Sequence, residues 1–225
     1  MNILAIDTST KNLSLAVSRD ADILKYRTRK LKGPLSSSIM PGIRDILKAA
    51  GVTLEQLDGF VIGLGPGSFT SLRVGLATVK GLVFAINKPV VGISSLDALA
   101  MGVKENDIQV CVLCDAKRNM VYSSVYHKVE AGLRRTHDYT LAGAKDVLKH
   151  IKGKTAFIGD GVKLYEDEIR LTRGITPVFM KGDNPIPQAH HLIPPALQRL
   201  NNGQQDDIDT LVPMYLYQEN CQVRR

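Results

Sequence analysis

The strongest constraint on this chain is a pair of apolar strands that stop abruptly at polar turns. Ile3–Ile6 is a run of four apolar residues closed by Asp7, Thr8, Ser9 and Thr10. Phe60–Ile62 leads into Gly63, and Gly65, Pro66, Gly67, Ser68, Phe69 and Thr70 then open a long helical pattern. Short apolar runs of this kind suit strands covered on both faces. Hydroxyls and backbone amides in the Asp7–Thr10 turn can hold an anion, or can satisfy the turn's own backbone. The glycines permit close backbone approach, and Ser68 is placed to cap the helix that follows. The spacing fits neither a Walker A loop nor a dinucleotide fingerprint. The residue types leave a phosphate cradle and a tight structural joint both open, with Asp7, Thr8, Ser9, Gly65, Gly67 and Ser68 as the candidate residues.

Around these turns the elements order themselves. Residues 2–7, 13–17 and 20–30 form an antiparallel meander, because their connections are too short for parallel crossovers. Leu35, Ile39, Ile43, Ile46 and Leu47 recur at helical spacing; Pro41 is expected to bend or break that helix, and Gly51 to stop it. A second helix is expected from Ser68 to Ile86, a strand at Val90–Ile93, and a short helix near Leu96–Met101 capped by Ser94. Leu72, Leu76, Val79, Val83 and Ile86 give the second helix an apolar side, while Ser71, Gly75, Thr78 and Ala85, with Gly81 nearby, give it a small-residue side. Lys104–Asp107 reads as a junction, so domains of 1–105 and 106–225 are expected. The second half holds strands at 108–114, 120–126, 132–139 and 155–159, helices at 142–150 and 162–171, a proline-interrupted helical pattern at 185–200 and a polar tail at 218–225. Its first strand ends at Asp115, as the first strand of the chain ends at Asp7.

Composition bounds the chemistry. Of 225 residues, 44% are hydrophobic and 23% charged, ordinary for a globular chain. There is no Trp, which gives no aromatic platform for stacked bases. The net charge of +7 concentrates near Lys25–Lys32, Arg134–Arg135 and Arg224–Arg225. A positive field of this kind permits contact with nucleic acid or an acidic protein. No signal peptide or bilayer-spanning stretch is expected, and the location is read as cytoplasmic. Cys111, Cys114 and Cys221 are an odd count and read as free thiols. The histidines show no metal spacing, and one Cys-x-x-Cys is weak evidence for zinc. Asp115, followed by Lys117 and Arg118, can approach a hydrated magnesium or pair with its basic neighbours.

Taken together, Ile6–Ser9, Gly65–Thr70, Leu72–Gly75, Lys80–Leu82, Gly92–Leu96, Asp115–Tyr122 and Pro213–Leu216 resemble the bacterial TsaB family, formerly called YeaZ. The likeness runs in order over most of residues 2–126. It implies an α/β, actin/Hsp70/sugar-kinase-like (ribonuclease H-like) two-domain fold with mixed sheets flanked by helices. It also implies a non-catalytic partner of TsaD, its larger paralogue, which carries the metal-binding histidines. With the ATPase TsaE, that pair transfers threonylcarbamoyl to N6 of adenosine 37 of tRNAs reading ANN codons. The resemblance implies no catalytic residue, metal or cofactor for this chain; ATP and a divalent metal belong to the partner complex, and tRNA is met through it. Family pairing uses N-terminal-domain helices, and a similar surface forms homodimers. Mapped here, that surface takes in Ser36, Ile39, Met40, Ile43, Ser71, Gly75, Thr78 and Leu82. The sequence departs from the family at Leu35–Ser37, where His-Ser-Glu is common, at Ser71, where Gly is usual, and at Lys117, where Arg is common. The alternative reading is a small nucleotide-dependent phosphotransferase or ATPase of the same superfamily, organised by Asp7, Thr8 and Asp115.

Overall fold

The computed structural model describes residues 1–130, 132–180 and 186–217. The chain divides into two compact units: Met1–Ala98 with Pro187–Met214, and Leu99–Ile186 with Tyr215–Arg225.

The first unit is built on a five-stranded sheet. Its strands are β1 (Asn2–Asp7), β2 (Asn12–Arg19), β3 (Asp22–Lys30), β4 (Gly59–Gly63) and β5 (Val90–Ile93), in the order β3-β2-β1-β4-β5. β1 pairs antiparallel with β2 and parallel with β4, so the expected meander forms one half of a mixed sheet. Alternate residues of the central strands serve two different cores. Leu4, Ile6, Leu13, Leu15, Phe60 and Ile62 meet helices α1 (Leu35–Ala50) and α2 (Phe69–Ile86). Ile3, Ala5, Ala16, Val61 and Val91 face the other way, onto Ala189–Leu197. Burial on both faces explains why β1 and β4 are apolar at nearly every position.

The second core moves the expected domain boundary. Residues 187–214 were assigned by sequence to the C-terminal domain, but they return to the first unit. There a 3-10 turn at Ala189–Leu192 and helix α6 (Ile193–Asn201) cover the face of the sheet that α1 and α2 leave open. Pro194 and Pro195 fall in the first turn of α6, where a missing N–H costs nothing. Asp206 ties the segment down: it accepts from Gly92 N–H at 2.7 Å and pairs with Arg199 at 2.7 Å.

Leu35, Ile39, Ile43, Ile46 and Leu47 are all buried, as their spacing predicts. Pro41, however, neither breaks nor divides α1. Pro41 is exposed, and so is Ser37, the residue whose carbonyl it cannot pair with. Gly51 ends the helix at φ 66°, ψ 30°. α2 is long and apolar enough, with mean hydropathy 1.5, to meet the length and composition of a membrane span, contrary to the sequence expectation. Here Leu76, Val79, Leu82 and Val83 are packed into the first core, so one side of α2 is buried within this unit.

The second unit repeats the plan. Strands β6 (Ile108–Asp115), β7 (Met120–Val129), β8 (Gly132–Gly143), β9 (Gly153–Ile158) and β10 (Ile175–Phe179) form a sheet ordered β10-β9-β6-β7-β8. β6 pairs antiparallel with β7 and parallel with β9, as β1 does with β2 and β4. Helix α3 (Ser95–Met101) straddles the division between the units. α4 (Ala144–Leu148) is shorter than predicted, because Ala142 and Gly143 are taken into the β7–β8 ladder. A 3-10 turn at Val162–Tyr165 and α5 (Glu166–Leu171) replace one continuous helix. β10 was not anticipated; it is a short edge strand containing Pro177, which an edge position tolerates. The polar tail at 218–225, with Cys221, lies outside the described residues.

Candidate functional site

The sheet end of the first unit brings together the two turns that dominate the sequence. β1 delivers Asp7, 2% exposed, with Thr8 at 0% and Ser9 at 3%. Asp7 Oδ1 accepts the Ser9 N–H at 2.9 Å and the Ser9 hydroxyl at 2.7 Å. Its Oδ2 accepts the Ser95 hydroxyl at 2.6 Å. Ser95 Oγ in turn accepts the Gly65 N–H at 3.1 Å, and the Ser95 N–H donates to the Gly65 carbonyl at 2.8 Å. The Ser68 N–H donates to the Ser9 carbonyl at 2.7 Å, and the Thr8 hydroxyl donates to the Ser71 carbonyl at 3.0 Å. The six cradle candidates are therefore assembled at one place, but the Asp7 carboxylate and the Thr8 and Ser9 hydroxyls bond within the protein, and only Ser68 is exposed among the hydroxyls.

Three glycines allow this closeness. A Cβ on Gly63 would lie 2.1 Å from Asp7 Oδ2, one on Gly67 2.1 Å from the Ser9 carbonyl oxygen, and one on Gly75 2.3 Å from Thr8 Oγ1. Gly65 itself takes φ +86°, the left-handed region that glycine favours. Burial pushes the Asp7 carboxyl above the usual carboxylate range, offset in part by the bonds from Ser95 and Ser9. A buried carboxylate with both oxygens engaged inside the protein is poorly placed to ligate a metal or phosphate.

Sequence reading missed Ser95, the hydroxyl that joins Asp7 to Gly65. Its signal is a hydroxyl pair directly after the buried strand β5, a stretch read for the Ser94 cap and for the family resemblance, with no role given to Ser95. Ser94 does accept from the Leu96 N–H at 3.2 Å, as a cap should. Ser68 occupies the cap position of α2, but its hydroxyl donates to Ser71 Oγ at 3.0 Å instead of receiving a helix amide.

The mapped partner surface divides in the structure. Ile39, Ile43 and Leu82 are buried in the first unit's own core, and Gly75 is turned onto Thr8. Those four positions cannot present a surface. Ser36, Met40, Ser71 and Thr78 remain at least partly accessible, with Met40 49% exposed. The helix ridge that is both small and open is Ala77, Gly81 and Ala85, with Phe84 beside it 69% exposed. A Cβ on Gly81 would meet no atom within 4 Å.

In the second unit Asp115 is tied into its own turn. Its Oδ1 accepts the Lys117 N–H at 2.8 Å, its Oδ2 pairs with the Lys117 ammonium, and its N–H donates to Asp160 Oδ1 at 2.9 Å. Partial burial raises the carboxyl, but the Lys117 contacts outweigh it and hold Asp115 below its ordinary value. Cys111 is fully buried and its thiol is pushed up to about 12, while Cys114 is half-buried. Among the described residues no group of three or more His, Cys, Asp or Glu is arranged to hold a metal ion.

A family model described as "TsaD: tRNA N6-adenosine threonylcarbamoyltransferase" matches residues 33–167. The chain is similar to the tRNA threonylcarbamoyladenosine biosynthesis protein TsaB of Escherichia coli K12, at 29% identity over 96% of this chain and 94% of that protein. It is 30% identical to TsaB of Buchnera aphidicola over 74% of this chain and 81% of that one. Among solved structures, YeaZ from Pseudomonas aeruginosa superposes with a TM-score of 0.81 at 25% identity, covering 96% and 99% of the two chains. A more distant likeness to Acidaminococcus fermentans (R)-2-hydroxyglutaryl-CoA dehydratase component A, at TM-score 0.51, 11% identity and coverage of 88% and 97%, concerns the fold alone, which is of the actin/Hsp70/sugar-kinase-like class. Because these TsaB proteins match over 74% to 96% of the chain, whereas the TsaD model matches only residues 33–167, this chain belongs to the TsaB (YeaZ) family.

Proposed function

We propose that this protein is the non-catalytic partner of a TsaD-type transferase, helping with TsaE to place threonylcarbamoyl on N6 of adenosine 37 in tRNAs reading ANN codons. The observation that carries the reading is likeness, over 96% of this chain, to TsaB proteins named for threonylcarbamoyladenosine biosynthesis. The strand-end chemistry supports it. A phosphotransferase needs Asp7 to reach a phosphate or metal, and here Asp7 is buried with both oxygens occupied. The contribution to catalysis is then geometric: an exposed apolar helix face holds the catalytic subunit in a productive arrangement. That face is the open side of α1 and α2, with Met40, Ala77, Gly81 and Phe84. In isolation the same face suits pairing with a second copy.

The test is transfer to an unmodified tRNA transcript with this chain, its species' TsaD and TsaE, leaving out one protein at a time. Omission of this chain is expected to remove transfer; full transfer without it overturns the reading. Gly81→Arg is expected to weaken pairing with TsaD by about tenfold or more, without harm to the fold, since Gly81 is exposed and a Cβ there meets no atom within 4 Å. Unchanged affinity would move the interface elsewhere.

A further inference from the structure

The basic run Lys25–Lys32 has no part in the strand-end network or the α2 ridge. Lys25, Arg27, Arg29, Lys30 and Lys32 fall within eight residues that contain no carboxylate. All five are exposed. They lie on β3, the edge of the first sheet, and on the loop beyond it. Lys25, Arg27 and Arg29 stand opposite Val17, Leu15 and Leu13 and therefore share one face. Successive members are about 6.8 Å apart along the strand. Among the described residues, Lys11, Lys25, Arg27, Lys30 and Lys32 make no ion pair, and Arg29 reaches only the Ser38 carbonyl at 3.5 Å. The one acid in the groove beside Arg27 and Arg29 is Asp45, which lies 3.7 Å from Arg44.

The loop that follows β3 lines a cleft. Lys11 and Lys32 sit on its wall, held together by the Leu31 N–H bond to the Lys11 carbonyl at 3.0 Å. Ser36, Thr70 and Ser71 add hydroxyls, and the cleft encloses about 450 Å³. Charges on an edge strand also block stray strand pairing. That role ends with the strand, whereas these cations continue past Lys30 to Lys32 and Lys11.

We propose that the β3 edge and the Lys11–Lys32 cleft form a docking surface for the phosphate backbone of RNA. The face presents a row of unneutralised cations with hydroxyls at its end, the groups that position a nucleic-acid backbone without reading its bases. Protein interfaces instead need a central apolar patch and are depleted of lysine. The choice of RNA over other polyanions rests on the tRNA-linked reading above.

The experiment is fluorescence anisotropy of a labelled unmodified tRNA transcript with the full chain, without TsaD, from about 50 to about 200 mM salt. Wild-type protein is expected to bind at the low end with a steep salt dependence. The double variant Lys25→Ala, Arg27→Ala is expected to lose about tenfold in affinity, with a log–log salt slope shallower by about 1.4–1.8, the share of two phosphates. A charge-matched control, Lys145→Ala with Lys152→Ala in the second unit, is expected to keep the wild-type slope. Circular dichroism checks that both variants fold. No binding by wild type at low salt, or equal loss in both variants, overturns the proposal. So does loss of TsaD binding with RNA affinity intact, which would make the face a site for a protein. RNA affinity is read here without TsaD, so its failure is separate from failure of the omission assay.

Discussion

Asp7 and Asp115 occupy the same place in two sheets of the same topology, yet they meet opposite fates. Each ends a central strand that is antiparallel to the strand following it in the chain and parallel to the fourth strand of its sheet, β4 or β9. Each carboxylate accepts the N–H two residues on, at 2.9 Å in the first unit and 2.8 Å in the second. At Asp7 two serine hydroxyls and three close-packed glycines shut the turn away from water. At Asp115 the turn stays near the surface and a lysine neutralises the charge. The chain there passes through three successive left-handed residues, Lys117, Arg118 and Asn119, at φ 65°, 54° and 59°. A shared topology and a shared local turn therefore do not make a shared site. The neighbours that control solvent decide what the carboxylate can do.

The largest expected effects test whether the two sheet ends are equally strict. A Cβ on Gly159, at φ +120°, would lie 2.2 Å from the Leu113 carbonyl oxygen, much as one on Gly67 would press on Ser9. Gly67→Ala and Gly159→Ala are each expected to cost on the order of 2–4 kcal/mol, read by urea unfolding. A tolerated Gly159→Ala would show that the second sheet end is looser and would break the likeness.

A middle-sized effect should separate the units. Ser95→Ala removes a donor to Asp7 and an acceptor for Gly65, at an expected cost of about 2–3 kcal/mol. Lys117→Ala breaks an exposed pair and is expected to leave the melting temperature nearly unchanged. Equal losses would mean that the Asp115 turn is as structural as the Asp7 turn.

The smallest effect is one of sign with pH. Asp7 has a raised folded pKa, so its favourable contribution is full below the unfolded value of 3.8 and is lost as pH rises through the folded value. Asp7→Asn is therefore expected to gain on wild type toward neutral pH. Asp115 is lowered, so its contribution is present above 3.8 and is lost as pH falls through the folded value. Asp115→Asn is expected to lose ground to wild type toward neutral pH. Urea midpoints between about pH 7 and pH 3 for both variants would show trends of opposite sign; parallel trends would refute the contrast.

Much of the fold was legible because both-face burial writes itself into composition. The apolar runs at Ile3–Ile6 and Phe60–Ile62 marked central strands, and the 35–39–43–46–47 spacing marked α1. β10 was not legible, because a short strand with Pro177 gains its identity from β9. Pro41 misled because helix-breaking depends on whether the freed carbonyl can meet water. At the candidate site the participants could be named from their types, but Ser95 could not be tied to Asp7 across 88 residues.

By itself the sequence determined most of the elements of the first unit, the turns that end β1 and β4, the concentration of charge along β3 and the family resemblance. These are local or compositional properties, carried by neighbours along the chain. Only the tertiary structure decided that the cradle residues satisfy one another, that residues 187–214 complete the first unit, and that Ile39, Ile43, Gly75 and Leu82 face inward. Each of these depends on solvent exclusion by residues far apart in the chain, and burial is a property of the packed molecule.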